Sequence, residues 1–292
     1  MRKNRLAICI FALPALILFT VFVVYPMIPQ VIMSFQDHDG FSSSGFVGFD
    51  NYTKVLTSNT FWTACGNTWL IVALSVVVAI PISLLFALLI DHEKSRFAKN
   101  LFKLAAVFPA IISVVVIAQM WIAIYEPQWG LINSFLKTIG LDSLAHSWLT
   151  EESTVVVCIS IAYLWQYIGL NTLILYTGIK SIPHTYYEAA RLDGAGFWKI
   201  SFKITIPLLS DVLQYVLILS TLGSMAQFAH IRVMTAGGPG FSSRSMIYEM
   251  YYNAFSRSEF GVGSAVAVIF IIQCLIVTYL INKLLRREAI QY

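Results

Sequence analysis

Six stretches of this chain run long enough without a dense set of charges to cross a lipid bilayer, and this limits its fold more than any other feature. Residues 6–36, 55–90, 104–125, 153–179 and 260–282 contain no Asp, Glu, Lys or Arg, and 204–231 contains only Asp211. A spanning helix needs roughly 20 mainly apolar residues. Hydropathy trims these stretches to expected helices near 8–33, 68–90, 104–124, 155–179, 207–230 and 262–283. Composition agrees: 12% of residues are charged and 58% belong to the hydrophobic set, whereas soluble domains average about 25% charged. A soluble globular domain would need far more polar surface, and so would a disordered chain. The expected fold is an all-α membrane protein with six transmembrane helices, residues 1–292 forming a single transmembrane domain.

Arg2, Lys3 and Arg5 precede the first stretch, as they would in a secretory signal. That stretch is too long for a signal core and no small-residue cleavage site follows it, so it reads as a retained helix. Basic residues then set the orientation. With the N-terminus inside, the inner segments hold Arg2, Lys3, Arg5, Lys94, Arg96, Lys99, Lys103, Lys180, Arg191, Lys199, Lys203, Lys283, Arg286 and Arg287. The outer loops hold only Lys54, Lys137, Arg232, Arg244 and Arg257. Both termini are therefore expected in the cytoplasm. Trp62, Trp69, Trp121, Trp129 and Trp148 fall at or beyond the outer helix ends, where interface anchors belong; Trp165 falls in mid-span.

What the chain lacks narrows its function. No Asp, Glu, Lys or Arg sits at the centre of an expected span, which disfavours a proton- or sodium-driven carrier, because such carriers keep a titratable group at depth. The membrane segments hold no paired carboxylates or His-Glu set for intramembrane hydrolysis. Cys9, Cys65, Cys158 and Cys274 have neither disulfide nor metal-ligand spacing, and no metal site is expected. No Gly-x-x-x-x-Gly-Lys-[Ser/Thr] loop is present for binding ATP. A polytopic chain without an energy source of its own is a passive pore or one subunit of a driven machine.

The loop at 181–206, expected in the cytoplasm, separates these. Pro183 suits a first helical turn, where its missing N–H costs nothing. Glu188-Ala189-Ala190 gives a short helix a small-residue face, with Glu188 readable as the partner of Thr185 in a capping box. Asp193-Gly194 supplies a turn, and Phe197, Ile200, Ile204 and Leu208 follow at helical spacing. The pattern Glu188-Ala189-Ala190, three residues, Gly194, nine residues, Ile204-x-Ile206-Pro207 resembles the EAA signature of ATP-binding-cassette (ABC) importer permeases, with Ile206 where the signature has Leu. The resemblance implies a type I importer permease core whose cytoplasmic EAA coupling helix docks on an ATPase, through Glu188, Ala189, Ala190, Asp193 and Gly194.

Further stretches are similar to the carbohydrate-uptake, maltose-permease-like subunits: Pro26 leading to Ser34-Phe35, then Phe46-Val-Gly-Phe-Asp-Asn51-Tyr52, Phe61-Trp62, Asn67-Thr68, and Thr235-Ala-Gly-Gly-Pro239-Gly with Tyr248, Tyr252 and Ala254-Phe255. That resemblance implies a non-enzymatic permease in a bacterial or archaeal cytoplasmic membrane. Its partners would be a second permease, two ATPase subunits that bind ATP and Mg, and an extracellular or periplasmic solute-binding protein touching Gly237, Gly238 and Pro239. This chain would hold no cofactor. A sugar site needs amides and an aromatic platform, and by the resemblance it falls on Trp165, Gly169, Asn171 and Thr172 of the fourth span and Ser224, Gln227 and Phe228 of the fifth. His230 reads as an interface-level polar residue. Arg232 and Arg244, near the outer mouth, leave open a permease for glycerol phosphate.

Overall fold

In the computed structural model the described residues are 5–285. They form two compact units, one of residues 5–61 with 249–272, the other of 62–248 with 273–285. Arg2, Lys3, Arg286 and Arg287, part of the orientation argument, lie outside the described residues.

The first unit begins with α1 (Arg5–Phe19) and α2 (Tyr25–Met33), continuous through a π turn at Thr20–Val24. Together they give a 24-residue apolar span, Ile10–Met33, none of it buried within the chain. A hairpin of β1 (Gln36–His38) and β2 (Ser43–Phe46) follows, then α3 (Asp50–Leu56). At the hairpin tip Asp39 accepts hydrogen bonds from the N–H groups of Phe41 (2.9 Å) and Ser42 (2.7 Å). These bonds stabilise its charged form and hold its carboxyl down at about 2. Asn51 and Tyr52, prominent in the sequence motif, are structural here. Asn51 Nδ2 donates to the carbonyls of Ser34 (3.0 Å) and Gln36 (2.8 Å), and the Tyr52 and Ser34 hydroxyls are 2.7 Å apart. Gly261 lets a helix backbone lie against the Gln36 carbonyl, a place a Cβ would fill.

Helix α4 (Asn59–Leu74) continues through a π turn at Ser75–Ala79 into α5 (Ile80–His92), a 34-residue apolar helix in all. Within the second unit follow α6 (Arg96–Ile111), α7 (Val114–Ile124), the short α8 (Leu131–Thr138) and the long α9 (Val155–Ser181). Next come α10 (His184–Leu192), α11 (Phe197–Ile200), α12 (Ile206–Leu208), α13 (Ser210–Met225) and α14 (Ala229–Met234). The last helices are α15 (Met246–Tyr251) and α16 (Phe260–Leu285). A core of Ile80, Ala87 and Leu88 on α5, Leu175 and Ile179 on α9, and Leu209 and Val216 near and on α13 binds three helices together.

Three π turns share one cause. Pro26, Pro81 and Pro207 each stand two residues after such a turn, at Thr20–Val24, Ser75–Ala79 and Ser201–Thr205. A proline inside a helix has no N–H to give, and its ring collides with the carbonyl four residues back. Widening the preceding turn moves that carbonyl aside, and the residue before each proline bonds five residues back instead of four: Tyr25 to Thr20, Ile80 to Ser75, Ile206 to Ser201. The extra residue also shifts the inward face. Beyond Phe197 the positions turned inward are Ser201, Thr205 and Leu209, rather than the Ile200–Ile204–Leu208 series a uniform helix would present.

Among the described residues five helices are long and apolar enough to cross a membrane, and one sharply bent pair makes six if it counts as a single span. The span expected as one helix over 104–124 is instead α6 and α7, bent by 97°. Pro109 removes a donor near the end of α6, and Ile112 and Ser113 are extended. The Ile112 carbonyl freed by the break accepts from Gln166 Nε2 at 3.1 Å, as a kink within apolar surroundings requires.

Candidate functional site

A cavity of about 460 Å³ lies within the second unit, walled by α9, α13, the 226–230 segment and the turn before α5. Its aromatic lining is Tyr163, Tyr167 and Phe228; its polar lining includes Asn171, Ser220, Gln227 and His230. Asn171 Nδ2 donates to Ser220 Oγ at 2.9 Å, joining α9 to α13. Gln227 Nε2 and His230 Nδ1 are 3.0 Å apart, and the Gln227 carbonyl accepts from Ser245 Oγ at 2.5 Å. The His230 ring stands edge-on to Tyr163, centroids 5.8 Å apart. Its Nε2 is buried and has no hydrogen-bond partner among the described residues, a group that costs free energy unless something polar in the cavity satisfies it. No Asp, Glu, Lys or Arg lines the space.

Of the seven residues expected to touch solute, the structure gathers Asn171, Gln227 and Phe228 at this cavity. The other four lie elsewhere. Gly169 faces α6, where a Cβ would run into the backbone carbonyl of Ala106. Thr172, one turn on, borders the same α6 contact and gives its hydroxyl to the Ile168 carbonyl at 2.8 Å. Ser224 is fully buried and gives its hydroxyl to the Ser220 carbonyl. Trp165 lies edge-on to Trp121, centroids 6.0 Å apart, and 39% exposed on the opposite side of α9. At about 100° per residue, Gly169 and Thr172 stand around α9 from Asn171, on the side that meets α6. Tyr163 and Tyr167, four apart and one turn before Asn171, line the same cavity. His230, read as an interface residue, is 1% exposed; its position three residues from Gln227 was the available signal.

The 181–206 loop is built by local rules. Helix α10 has Pro183 at its N-cap and no side-chain cap, so the Thr185–Glu188 capping box does not form. Glu188 instead meets His184, Oε1 to Nδ1 2.9 Å, one turn back. At the other end Gly194 has φ of +74°. Gly194 N–H donates to the Arg191 carbonyl (3.0 Å) and Ala195 N–H to the Ala190 carbonyl (2.9 Å), a Schellman closure that a left-handed glycine permits. Ala190 is buried, while Glu188, Ala189, Asp193 and Gly194 face outward and nothing stands over Gly194.

The loop carrying Gly237, Gly238 and Pro239 is pinned from within. Gly237, with φ of +84°, lies so near Tyr248 that a Cβ would be 2.7 Å from its ring. Tyr248 Oη donates to the Ala236 carbonyl at 2.5 Å, and Asn67 Nδ2 reaches the carbonyls of Ser242 (2.6 Å) and Arg244 (2.9 Å). Gly237 is buried; Gly238 and Pro239 are half-buried.

Residues 79–291 match the family described as binding-protein-dependent transport system inner membrane component. A probable ABC transporter permease protein of Pyrococcus horikoshii is 35% identical over 271 residues, 92% of each chain. The arabinooligosaccharides transport system permease protein AraP of Bacillus subtilis is 32% identical over 97% of this chain and 89% of that protein. A solved bacterial ABC transporter involved in the import of the acidic polysaccharide alginate has the same fold, with a TM-score of 0.85 at 24% identity over 98% of this chain and 96% of the other. Multi-pass, cavity-bearing and matched along most of its length, the chain is an importer permease. It belongs to the binding-protein-dependent transport system inner membrane component family, the membrane subunits of ABC importers.

Proposed function

We propose that this permease carries a neutral sugar, an oligosaccharide or disaccharide, as one half of a permease heterodimer. The observation that carries the reading is the cavity lining: three aromatic rings beside amide, hydroxyl and imidazole groups, with no formal charge. Sugar rings offer apolar faces to aromatics and hydroxyls to amides. A phosphorylated solute would call for Arg or Lys in the wall; Arg232 and Arg244, which left glycerol phosphate open, do not line it. The arabinooligosaccharide permease among its relatives supports the same class. Asn171, Gln227 and Phe228 act as solute contacts, with Tyr163, Tyr167 and His230 added from the geometry. Gly169, Thr172 and Ser224 serve as packing residues around the site, and Trp165 stands outside it.

Two ATPase subunits sit at the cytoplasmic face, bind ATP and Mg, and grip loop 181–206 through Glu188, Ala189, Asp193 and Gly194, with Ala190 anchoring α10. Their closure turns the cavity outward, where a solute-binding protein delivers sugar at the Gly237-Gly238-Pro239 loop. The chain itself makes and breaks no covalent bond.

Proteoliposomes holding the permease, its partner subunits and the solute-binding protein test this reading. ATP-dependent uptake of a labelled neutral oligosaccharide is expected, with glycerol phosphate excluded. Uptake of glycerol phosphate with no neutral sugar would overturn the substrate class. Uptake without ATP would overturn the mechanism.

A further inference from the structure

A second groove, of about 710 Å³, opens between the end of α5 and the start of α6, away from the solute cavity. Both helices pack along α9 and touch each other only briefly, so a wedge is left between them. Its walls are apolar: Phe86, Leu89 and Ile90 on α5, Phe102, Ala105 and Ala106 on α6. Phe86, Leu89 and Phe102 are 44, 47 and 58% exposed. The rim lies in a basic stretch. Lys94 lines the groove together with Glu93, and Arg96 opens α6 two residues on. Asp91 is ion-paired to Lys180, and Glu93 Oε1 accepts from the Ser95 N–H at 2.8 Å. Lys99 Nζ adds a further positive group, 3.1 Å from the Asp91 carbonyl.

We infer that this groove holds an acyl chain of an anionic phospholipid, with the headgroup phosphate against Lys94 and Arg96. An apolar slot ending in a basic stretch matches a lipid's two chemistries in the order a bilayer presents them. Basic pockets between membrane helices on the cytoplasmic side suit such headgroups, and the distribution of Lys and Arg puts this rim on that side. An extended protein segment would need polar partners for its backbone along the slot, and its walls offer almost none, while a purely apolar helix would leave the basic stretch unmatched. His92, also on the groove, packs its ring 4.6 Å from Phe197, so the lipid lies one side chain from the segment that follows Gly194.

The test is native mass spectrometry of the permease, isolated with the subunits that accompany it, stripped of lipid and re-exposed to dioleoyl phosphatidylglycerol or phosphatidylcholine. One phosphatidylglycerol should be retained per copy, in preference to phosphatidylcholine. Joint Lys94→Gln and Arg96→Gln substitution leaves the groove intact and should lower that preference by about fivefold per cation. Ala105→Trp, at an exposed wall position, should abolish retention of both lipids. Equal retention of the two lipids by the unsubstituted protein, or unchanged phosphatidylglycerol retention in both variants, would overturn the assignment. A photoreactive residue at Phe102 that captures a polypeptide rather than lipid would overturn it as well.

Discussion

The 181–206 loop and the cavity beside α9 and α13 are held in opposite ways. Glu188 and Gly194 are exposed and positioned by bonds between residues at most five apart, from His184 to Ala195. Asn171, Gln227 and His230 are buried and depend on partners on other helices or loops, such as Ser220 and Ser245. A surface held locally can be changed without unfolding the protein, whereas a cavity wall cannot be separated from the packing behind it.

The sharpest break comes from Gly169. Gly169→Leu drives a side chain into the α6 backbone, and overpacking of this kind costs about 1–3 kcal/mol or more. Thermal unfolding in detergent should fall markedly and uptake should vanish with it; a stable, inactive protein would return Gly169 to the solute site. Glu188→Lys and Gly194→Asp should also abolish uptake while unfolding temperature and membrane level stay near those of the parent. Co-purified ATPase measures the loss, and undiminished ATPase attachment in both would remove the loop from coupling. Gln227→Ala and His230→Ala should raise the half-saturating sugar concentration about tenfold, the scale of one lost buried hydrogen bond of roughly 1–2 kcal/mol. Trp165→Ala should leave that concentration unchanged in the same assay, and a rise comparable to Gln227→Ala would place the indole at the sugar.

The smallest effect belongs to the hairpin tip. Since the folded turn holds Asp39 below its ordinary value of 3.8, its stabilisation is complete at neutral pH and is lost as pH falls from near 4 towards 2. Hydrogen exchange at the Phe41 and Ser42 amides should speed up, relative to intrinsic rates, over that window, and Asp39→Asn should flatten the change.

The same contrast explains what could be read in advance. The helical spans were visible because lipid demands long apolar runs and nothing else in the chain supplies them. Gly194 was legible because a left-handed closure is a local event with a local residue. The cavity was only half legible: within the 169–172 stretch Asn171 reaches the space, while Gly169 and Thr172, turned around the helix from it, meet α6. The break at Ile112 was hidden because Pro109 in an apolar run signals a weak point, not a 97° turn. The carbonyl it frees at Ile112 finds its partner in Gln166, more than fifty residues on.

The backbone-to-backbone fit at Gly169 has a consequence for transport. Sliding α9 along α6 would bring a residue with a Cβ against the Ala106 backbone, so the two helices resist moving past one another at this point. A change of angle between that pair and α7 would then fall on the two extended residues Ile112 and Ser113 that link α6 to α7.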